Sequence, residues 1–198
     1  MNIAVDLDDT LVDLLEQLIL FHNNTFGTNL KRNDFNTCIY QKVWGGSREE
    51  TIAKIMNFIA SPYFQDIRPL VGAVEGVEHL KSLGHNLFLV TGRDNNTNIL
   101  TRKLLDQYFS GYFCGVYHTN AYTHSDGWLK KSEVCARLKA PLIIDDDPIH
   151  IHDCTDRGIK VLVYDNPWNR IELPVGATRV LNWKEIIVCV NELATENL

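Results

Sequence analysis

Short apolar runs alternate along the chain with longer segments in which apolar residues recur at helical spacing. The runs are rich in residues typical of buried strands, and they predict strands at residues 3–7, 86–90, 113–117, 142–144, 160–164 and 178–181. The helical spacing predicts helices at residues 11–26, 47–59, 72–82, 96–108, 129–138 and 149–157, and a last helix near the end of the chain. Strands that alternate with helices in this way favour an α/β fold with a doubly wound, mostly parallel sheet.

One long stretch interrupts the alternation. Residues 13–75 separate the first strand from the rest of the α/β pattern, and this connection is longer than a usual crossover. Ser47 and Glu50 are spaced as a capping box, which predicts that a helix begins inside the stretch. We therefore predict an α/β core formed by residues 1–12 and 76–198, with a small helical cap, residues 13–75, inserted after the first strand as a candidate lid.

Composition and charge narrow the class of protein. The chain has 198 residues, of which 45% are hydrophobic and 22% are charged, and this suits one globular α/β domain with a small accessory unit. The formal charge is −6 and no basic cluster exceeds Lys130-Lys131, so we expect neither nucleic acid nor an anionic membrane as a partner. The apolar runs are too short for a membrane span and no secretory signal precedes the first strand, so we expect a cytoplasmic protein.

The cysteines and two neighbouring histidines do not form a recognisable metal or disulfide pattern. Five cysteines at wide spacing, with no Cys-x-x-Cys pair, argue against a disulfide framework or a zinc site. His150 and His152 are two residues apart on a predicted helix, so their side chains are expected to point apart rather than to share a metal. Free thiols are therefore expected at Cys38, Cys114, Cys135, Cys154 and Cys189.

Carboxylates and hydroxyls follow the predicted strands. Asp6 and Asp8 lie at the end of the first strand, two residues apart, which in a regular strand places both side chains on one face. Thr10 comes just beyond them, at the predicted turn, and Thr91 follows the strand at residues 86–90. Because ligands of open α/β sheets bind at the carboxyl ends of the strands, these side chains predict a binding or catalytic site there.

The run Asp6-Leu7-Asp8-Asp9-Thr10 resembles the first motif of the haloacid dehalogenase superfamily of phosphatases and phosphotransferases. The other motifs of that superfamily follow in the same order, namely Thr91 after a strand, a lysine near a helix start, and acids after a strand. The resemblance covers nearly the whole chain, and it implies a Rossmann-like core and phosphate chemistry. Dehalogenases of the superfamily lack the second acid, so Asp8 favours phosphate chemistry over cleavage of a carbon–halogen bond.

The resemblance also implies a role for each motif residue. Asp6 would be the nucleophile that forms an aspartyl phosphate, and Asp8 would protonate the leaving oxygen and then activate water. Thr91 would donate a hydrogen bond to a phosphoryl oxygen, and a lysine would neutralise charge on the nucleophile and the phosphate. Lys131 is the preferred lysine because the family's lysine usually sits just before a small or polar residue that leads the helix; Lys130 is the alternative.

Four acids in one pocket would require a cation. Two like charges about 4 Å apart repel by roughly 4 kcal/mol at an effective dielectric near 20. Oxygen ligands suit a hard ion that keeps waters and bridges to phosphate, so we expect Mg²⁺, bound by Asp6, the backbone carbonyl of Asp8, and Asp145. Asp146 is expected behind these ligands, and Asp147 as a cap for the following helix.

The substrate is less well defined by the sequence. The helical insertion and the run Asp165-Asn166-Pro167-Trp168-Asn169-Arg170 resemble the 5'(3')-deoxyribonucleotidase-like branch of the superfamily, which implies a nucleoside monophosphate. Another small phosphorylated metabolite, a phosphotransferase reaction and a non-catalytic phosphate-binding role are the alternatives.

Two further residues are candidates for contacts with the phosphate or the rest of the substrate. Arg93 follows Thr91 closely and would touch the phosphate or the substrate, or else lie at the surface. Trp44 belongs to a group of aromatic residues in the insertion that forms either the core of the cap or a wall for stacking a base. The other members of that group are Tyr40, Tyr63 and Phe64.

Overall fold

The computed structural model describes residues 1–121 and 128–195 of the protein. Six strands form one sheet in the order β3-β2-β1-β4-β5-β6, and every pairing between the described strands is parallel. The sheet confirms the predicted doubly wound α/β fold. The strands are β1 (Asn2–Val5), β2 (Asn86–Thr91), β3 (Phe113–His118), β4 (Leu142–Asp145), β5 (Lys160–Tyr164) and β6 (Ala177–Val180).

Helices connect these strands and also form most of the long insertion between β1 and β2. The described α-helices are α1 (Leu14–Phe26), α2 (Tyr40–Trp44), α3 (Arg48–Ile59), α4 (Pro62–Gln65), α5 (Ala73–Ser82), α6 (Asn98–Tyr108), α7 (Lys131–Leu138), α8 (Pro148–Thr155) and α9 (Trp183–Thr195). Short 3₁₀ turns lie at Arg32–Asp34, Asn95–Thr97 and Pro167–Asn169.

Strand β1 lies in the middle of the sheet and is buried on both faces. Ile3 pairs with Leu87 of β2 on one side and with Leu142 of β4 on the other. Alternate residues enter two separate cores: Ile3 joins the one that contains α1, α5, α6 and α9, whereas Ala4 joins the one that contains α7 and α8. Since all the strands run the same way, the ends of β1, β2 and β4 meet at one edge of the sheet, where Asp6, Thr91 and Asp145 lie.

The insertion leaves and re-enters the α/β unit through two neighbouring segments. Asp13 N donates a hydrogen bond to Arg68 O at 2.9 Å, and Leu70 N donates to Leu11 O at 2.9 Å. Because Leu11 to Asp13 pair with this returning segment, α1 begins at Leu14 rather than at the predicted residue 11, with the Asp13 side chain accepting from Glu16 N.

Inside the insertion, α3 begins where the capping box predicts. Ser47 Oγ accepts from Glu50 N at 3.1 Å, and Ser47 N donates to the Glu50 carboxylate at 2.8 Å. Aromatic side chains hold α1, α3 and α4 together, with ring centres 5.6 Å apart for Phe21 and Phe58 and 5.4 Å apart for Phe58 and Phe64. The division into core and cap stays a prediction, and residues 122–127 and 196–198 of the predicted core lie outside the described part of the chain.

The cysteines and the lengths of the helices bear on two expectations drawn from composition. The five cysteines are all free thiols, as expected. Among residues 1–121 and 128–195, no helix combines the length and the apolar character needed to cross a membrane.

Candidate active site

The first motif forms a tight loop at the end of β1. Asp6 N donates to Ile144 O at 2.9 Å, which extends the pairing of β1 with β4 up to Asp6. Asp9 has φ 57°, a left-handed conformation that turns the chain, and Asp9 Oδ1 accepts from Leu15 N at 3.0 Å at the start of α1. Burial raises the pKa of Asp9 to about 8, although the Leu15 hydrogen bond and Arg32 act in the opposite direction.

Lys131 lies between two of the acids. Its Nζ is 2.7 Å from a carboxylate oxygen of Asp6 and 2.7 Å from one of Asp145, and its side chain is only 2% exposed. Burial opposes the charge on Lys131, but the carboxylates of Asp145 and Asp6 outweigh it and raise its pKa. Lys130 instead reaches Asp153 at 3.1 Å and is 46% exposed. The structure therefore places Lys131, and not Lys130, in the acid pocket.

Three buried carboxylates, those of Asp6, Asp145 and Asp146, approach one another closely. One oxygen from each lies within 4.8 Å of the others. Burial raises the pKa of Asp6 to about 7, with Lys131 lowering it and Asp145 and Asp8 raising it further. Burial and the charge on Asp6 raise the pKa of Asp146 well above its usual value. This set of hard oxygen donors, with more negative than positive charge, fits Mg²⁺.

The structure changes the expected arrangement of these acids in one respect. Asp146 lies beside Asp6 and Asp145 rather than behind them. Both oxygens of Asp145 already accept hydrogen bonds, Oδ2 from Lys131 at 2.7 Å and Oδ1 from the backbone N–H groups of Asp146 at 2.9 Å and Asp147 at 3.1 Å. Asp147 also accepts from Ile149 N at 2.8 Å and caps α8, as expected.

Arg93 holds the carboxylate of Asp8. Its Nε donates to Asp8 Oδ2 at 2.8 Å and its Nη2 to Asp8 Oδ1 at 2.6 Å, a two-pronged contact that fixes the carboxylate plane. Arg93 is 1% exposed, which excludes the surface alternative, and its guanidinium lies 4.7 Å from the centre of the Phe64 ring on the cap side. A third bond from Nη1 reaches Thr101 at 3.2 Å.

Thr10 and Thr91, the two motif threonines, are both buried, Thr10 in the loop after β1 and Thr91 at the end of β2. Thr91 ends β2, and its hydroxyl oxygen accepts from Arg93 N at 3.2 Å. The Thr10 hydroxyl donates to Asp146 Oδ1 at 3.3 Å, and Thr10 O accepts from Trp183 Nε1 at 3.0 Å, which ties the first motif to α9. Thr10 therefore supports an acid of the pocket.

The turn after β5 contributes residues that the motif analysis did not identify. We call residues 166–169 the Asp146 clamp, because Trp168 Nε1 donates to Asp146 Oδ2 at 2.9 Å and Asn169 Nδ2 donates to Asp146 O at 2.8 Å. Asn166 Nδ2 lies 3.4 Å from Asp146 Oδ2 and donates to Asp9 O at 2.9 Å. These residues belong to the run that resembles the deoxyribonucleotidase branch, so the sequence marked them. It did not indicate that they contact Asp146.

A cavity of about 390 Å³ opens over the acids, and Asp6, Asp8 and Lys131 are among the residues that line it. Insertion side chains form a largely apolar wall, which includes Leu18, Ile52, Ile55, Met56, Phe58 and Phe64. Tyr40 and His150 also line the cavity. The site thus combines a charged end at the sheet with an apolar end lined by the insertion.

Trp44 is not one of the described residues that line this cavity. Its ring stacks between His22, at 4.9 Å, and Tyr40, at 5.0 Å, inside the helical insertion. Of the two alternatives for Trp44, these contacts favour packing inside the insertion over contact with a substrate.

The fold and the site together define a phosphatase of the haloacid dehalogenase superfamily. The defining features are a parallel sheet, paired aspartates after its central strand, a buried lysine, and an acid cluster at the end of the neighbouring strand. Comparison with known families is more specific. Residues 1–193 match the model of the family described as "5' nucleotidase, deoxy (Pyrimidine), cytosolic type C protein". The chain belongs to this family.

Individual relatives agree with that assignment. A nucleotidase of Clostridium acetobutylicum is 26% identical over 200 residues, which cover 98% of this chain and 95% of the relative. A 5'(3')-deoxyribonucleotidase of Bacillus subtilis is 26% identical over 185 residues, with 93% and 95% of the two chains covered.

Solved structures share the fold. A predicted phosphatase from Clostridium acetobutylicum superposes with a TM-score of 0.73 at 15% identity, covering 96% of this chain and 98% of the other. A haloacid dehalogenase-like hydrolase from Streptococcus pneumoniae gives a TM-score of 0.70 at 14% identity, with 96% and 97% covered.

Proposed function

We propose that the protein is a Mg²⁺-dependent phosphomonoesterase that hydrolyses nucleoside monophosphates, including deoxynucleotides, through an aspartyl phosphate on Asp6. The observation that carries this proposal is the contact of 2.7 Å between Lys131 Nζ and the Asp6 carboxylate at the charged end of the cavity. A buried cation at this distance lowers the pKa of a nucleophilic carboxylate, which favours its ionised form, and directs a phosphate onto it.

In the first half-reaction, an oxygen of Asp6 attacks phosphorus and the bond from phosphorus to the leaving oxygen breaks. Asp8 donates the proton that this oxygen needs to depart as an alcohol. In the second half-reaction, Asp8 takes a proton from water, whose oxygen attacks the same phosphorus and releases inorganic phosphate. Asp6 regains its free carboxylate, and Thr91 and Lys131 provide donors for phosphoryl oxygens.

Arg93 is a positioning residue in this scheme. Its two bonds to Asp8, at 2.6 and 2.8 Å, hold that carboxylate at the side of the cavity while no substrate is bound. To act as the acid, Asp8 must first take up a proton, and this requires that it exchange at least one of these bonds for a contact to the leaving oxygen.

Asp6, Asp145, Asp146 and the backbone carbonyl of Asp8 would hold the magnesium ion. The ion would supply positive charge that stabilises the phosphoryl oxygens in the transition state. The fit rests on the donor set described above, in which three buried carboxylates face one lysine.

The cavity supports a substrate with an apolar or aromatic leaving group. Its volume of about 390 Å³ lies at the small-molecule end of the usual range for ligand pockets. The apolar wall from the insertion suits a flat base better than a heavily hydroxylated sugar phosphate, and the relatives named above are nucleotidases. The proposed cap would thus select the leaving group, while the core residues handle the phosphoryl group.

A cytoplasmic location belongs to the same proposal. It is supported by the family description, which includes the word cytosolic, and by free thiols at all five cysteines, which suit a reducing compartment.

Phosphate release from a panel of substrates tests the proposal. The panel contains deoxynucleoside and nucleoside 5'- and 3'-monophosphates, sugar phosphates and p-nitrophenyl phosphate, each assayed with Mg²⁺ and with chelator. We expect nucleotides to give the highest kcat/KM and chelator to abolish turnover. Asp6→Asn is the control, since it should remain folded with no turnover. A preference for sugar phosphates would refute the substrate class, and full activity in chelator would refute the metal dependence.

A further inference from the structure

The Asp146 clamp reaches both the side chain and the backbone of Asp146. Trp168 Nε1 bonds to Oδ2 at 2.9 Å, and Asn169 Nδ2 bonds to the backbone oxygen at 2.8 Å. The other carboxylate oxygen, Oδ1, takes a longer bond of 3.3 Å from Thr10. Trp168 and Thr10, with a longer contact of 3.4 Å from Asn166 Nδ2 to Oδ2, therefore orient this carboxylate, while Asn169 holds its backbone.

These contacts are shielded from water. Asp146 is 6% exposed, Trp168 is 9% exposed and Asn169 is fully buried. In such surroundings hydrogen bonds to a charged oxygen are stronger than in water, and water competes poorly for the same positions. The indole N–H is a rigid donor without an acceptor function, so it can only present a proton to the carboxylate.

The clamp is itself held in place by the edge of the sheet. Arg179 on β6 donates through Nη1 to Asn169 Oδ1 and through Nη2 to Asn169 O, both at 2.7 Å. Nη1 of Arg179 also reaches Asp165 at 3.0 Å. By contrast Arg170, in the same loop, is 60% exposed and bonds to Asp165 at 3.1 Å. Support for the clamp thus comes from Arg179, and Arg170 offers a matched comparison.

We propose that Trp168 is a positioning residue for the metal site, holding the Asp146 carboxylate ready for the divalent cation, and that Arg179 keeps the turn of Trp168 in place. The inference rests on the proposed function, because it takes the cluster of Asp6, Asp145 and Asp146 to be the magnesium site. It assigns to Trp168, which also lines the cavity, a role that acts through the carboxylate of Asp146.

Binding of Mn²⁺ alone, measured by the electron paramagnetic resonance signal of the free ion, tests the proposal without any turnover. Trp168→Phe keeps the ring and removes the N–H donor. We expect the affinity of this variant for Mn²⁺ to fall about 10- to 100-fold, the usual effect of losing a hydrogen bond to a metal ligand. Arg179→Gln should weaken binding in the same direction by a smaller factor.

Matched variants separate positioning from general damage. Trp128→Phe changes a tryptophan that is 42% exposed and lies outside the described cavity lining, and Arg170→Gln changes the exposed arginine of the same loop. Both should bind Mn²⁺ as the wild type does. Thermal unfolding of each variant in chelator shows whether a lower affinity accompanies a loss of fold.

The outcomes distinguish this inference from the proposed function. Equal affinities for the wild type and a folded Trp168→Phe would overturn the inference and leave the proposed function standing. A wild-type protein that binds no Mn²⁺ would overturn the metal dependence and the inference together.

A measurement on the wild type covers the case in which Trp168→Phe does not fold. The indole N–H resonance of Trp168, assigned through its contacts to neighbouring protons, should shift when Mg²⁺ is added, because the accepting carboxylate changes its partner. An indole resonance that stays in place at saturating Mg²⁺ would overturn the inference.

Discussion

Replacing Lys131 tests the centre of the site most directly, because the chain supplies its own control one residue earlier. Lys131→Met removes the charge but keeps an unbranched side chain of similar length. Asp6 and Asp145, each 2.7 Å from the lysine Nζ, would then face each other without a cation. Lys130→Met removes a charge that is 46% exposed and pairs with Asp153.

The size of the effect follows from burial. Removing one partner of a buried ion pair typically costs about 3–5 kcal/mol, which in a chain of this length lowers the unfolding temperature by roughly 6 to 20 °C. The loss of stability in Lys131→Met should be smaller in mildly acidic buffer. Burial places the pKa of Asp6 at about 7 even with Lys131 present, and a protonated Asp6 carries no charge that needs a partner. The exposed pair of Lys130 should contribute at most about 1 kcal/mol.

Activity should separate the two variants further. Loss of one donor that stabilises a transition-state charge usually lowers kcat by about 10²- to 10³-fold, and the nucleophile of Lys131→Met would in addition be less ionised at neutral pH. We would measure unfolding of the metal-free protein at two pH values, and kcat at saturating Mg²⁺ with the preferred substrate. A larger loss for Lys130→Met in either assay would refute the assignment of Lys131.

Three other predictions address pH, packing and the cap. Burial raises the pKa of Asp6 to about 7 and of Asp9 to about 8, from 3.8 in the unfolded chain, so the folded state retains protons that the unfolded state has released. This contribution to stability is complete below pH 3.8 and is lost as the pH rises through 7 and 8. Unfolding temperatures measured in chelator should therefore fall between pH 3.8 and pH 8. A rise of the unfolding temperature over this range would contradict the burial of Asp6 and Asp9. A Cβ at Gly76 would lie 2.4 Å from the ring of Trp183, so Gly76→Ala should destabilise the protein by about 1–3 kcal/mol in denaturant unfolding, and an unchanged midpoint would show that α5 and α9 can separate freely. Trp44→Ala should lower the unfolding temperature with equal effects on nucleotides and acetyl phosphate, whereas a selective increase in KM for nucleotides would return Trp44 to the substrate wall.

The parts of the fold that follow from local sequence were predictable. Apolar runs ending in acids located Asp6 and Asp145 at strand ends, and parallel strands bring such ends together whatever the connections. The capping box at Ser47 gave the start of α3 because its two hydrogen bonds lie within four residues. Lys131 was preferred over Lys130 from the resemblance to the family, and the structure places it at the start of α7.

What could not be predicted depends on side chains that meet across the chain. Arg93 lies 85 positions from Asp8, and its pairing depends on β2 lying beside β1 with the correct register. Trp168 contacts Asp146 because β5 lies next to β4 in the sheet. The order of strands in a sheet cannot be inferred from a local stretch of sequence. The two alternatives for Trp44 stayed open for the same reason, since an aromatic side chain in the insertion gives no indication of which side it faces.

The central position of β1 has a consequence for how the chain is made. Ile3, the second residue of β1, pairs with Leu87 and Leu142, so this apolar strand is synthesised before both of its neighbours and completes its pairing only after Leu142 has emerged. At typical rates of translation that interval is on the order of ten seconds. An unpaired strand of this kind is an aggregation hazard, and charged residues at its end are a common natural protection. Asp6, Asp8 and Asp9 follow β1 directly, so the acids of the candidate site also stand where charge protects an unpaired strand from aggregation.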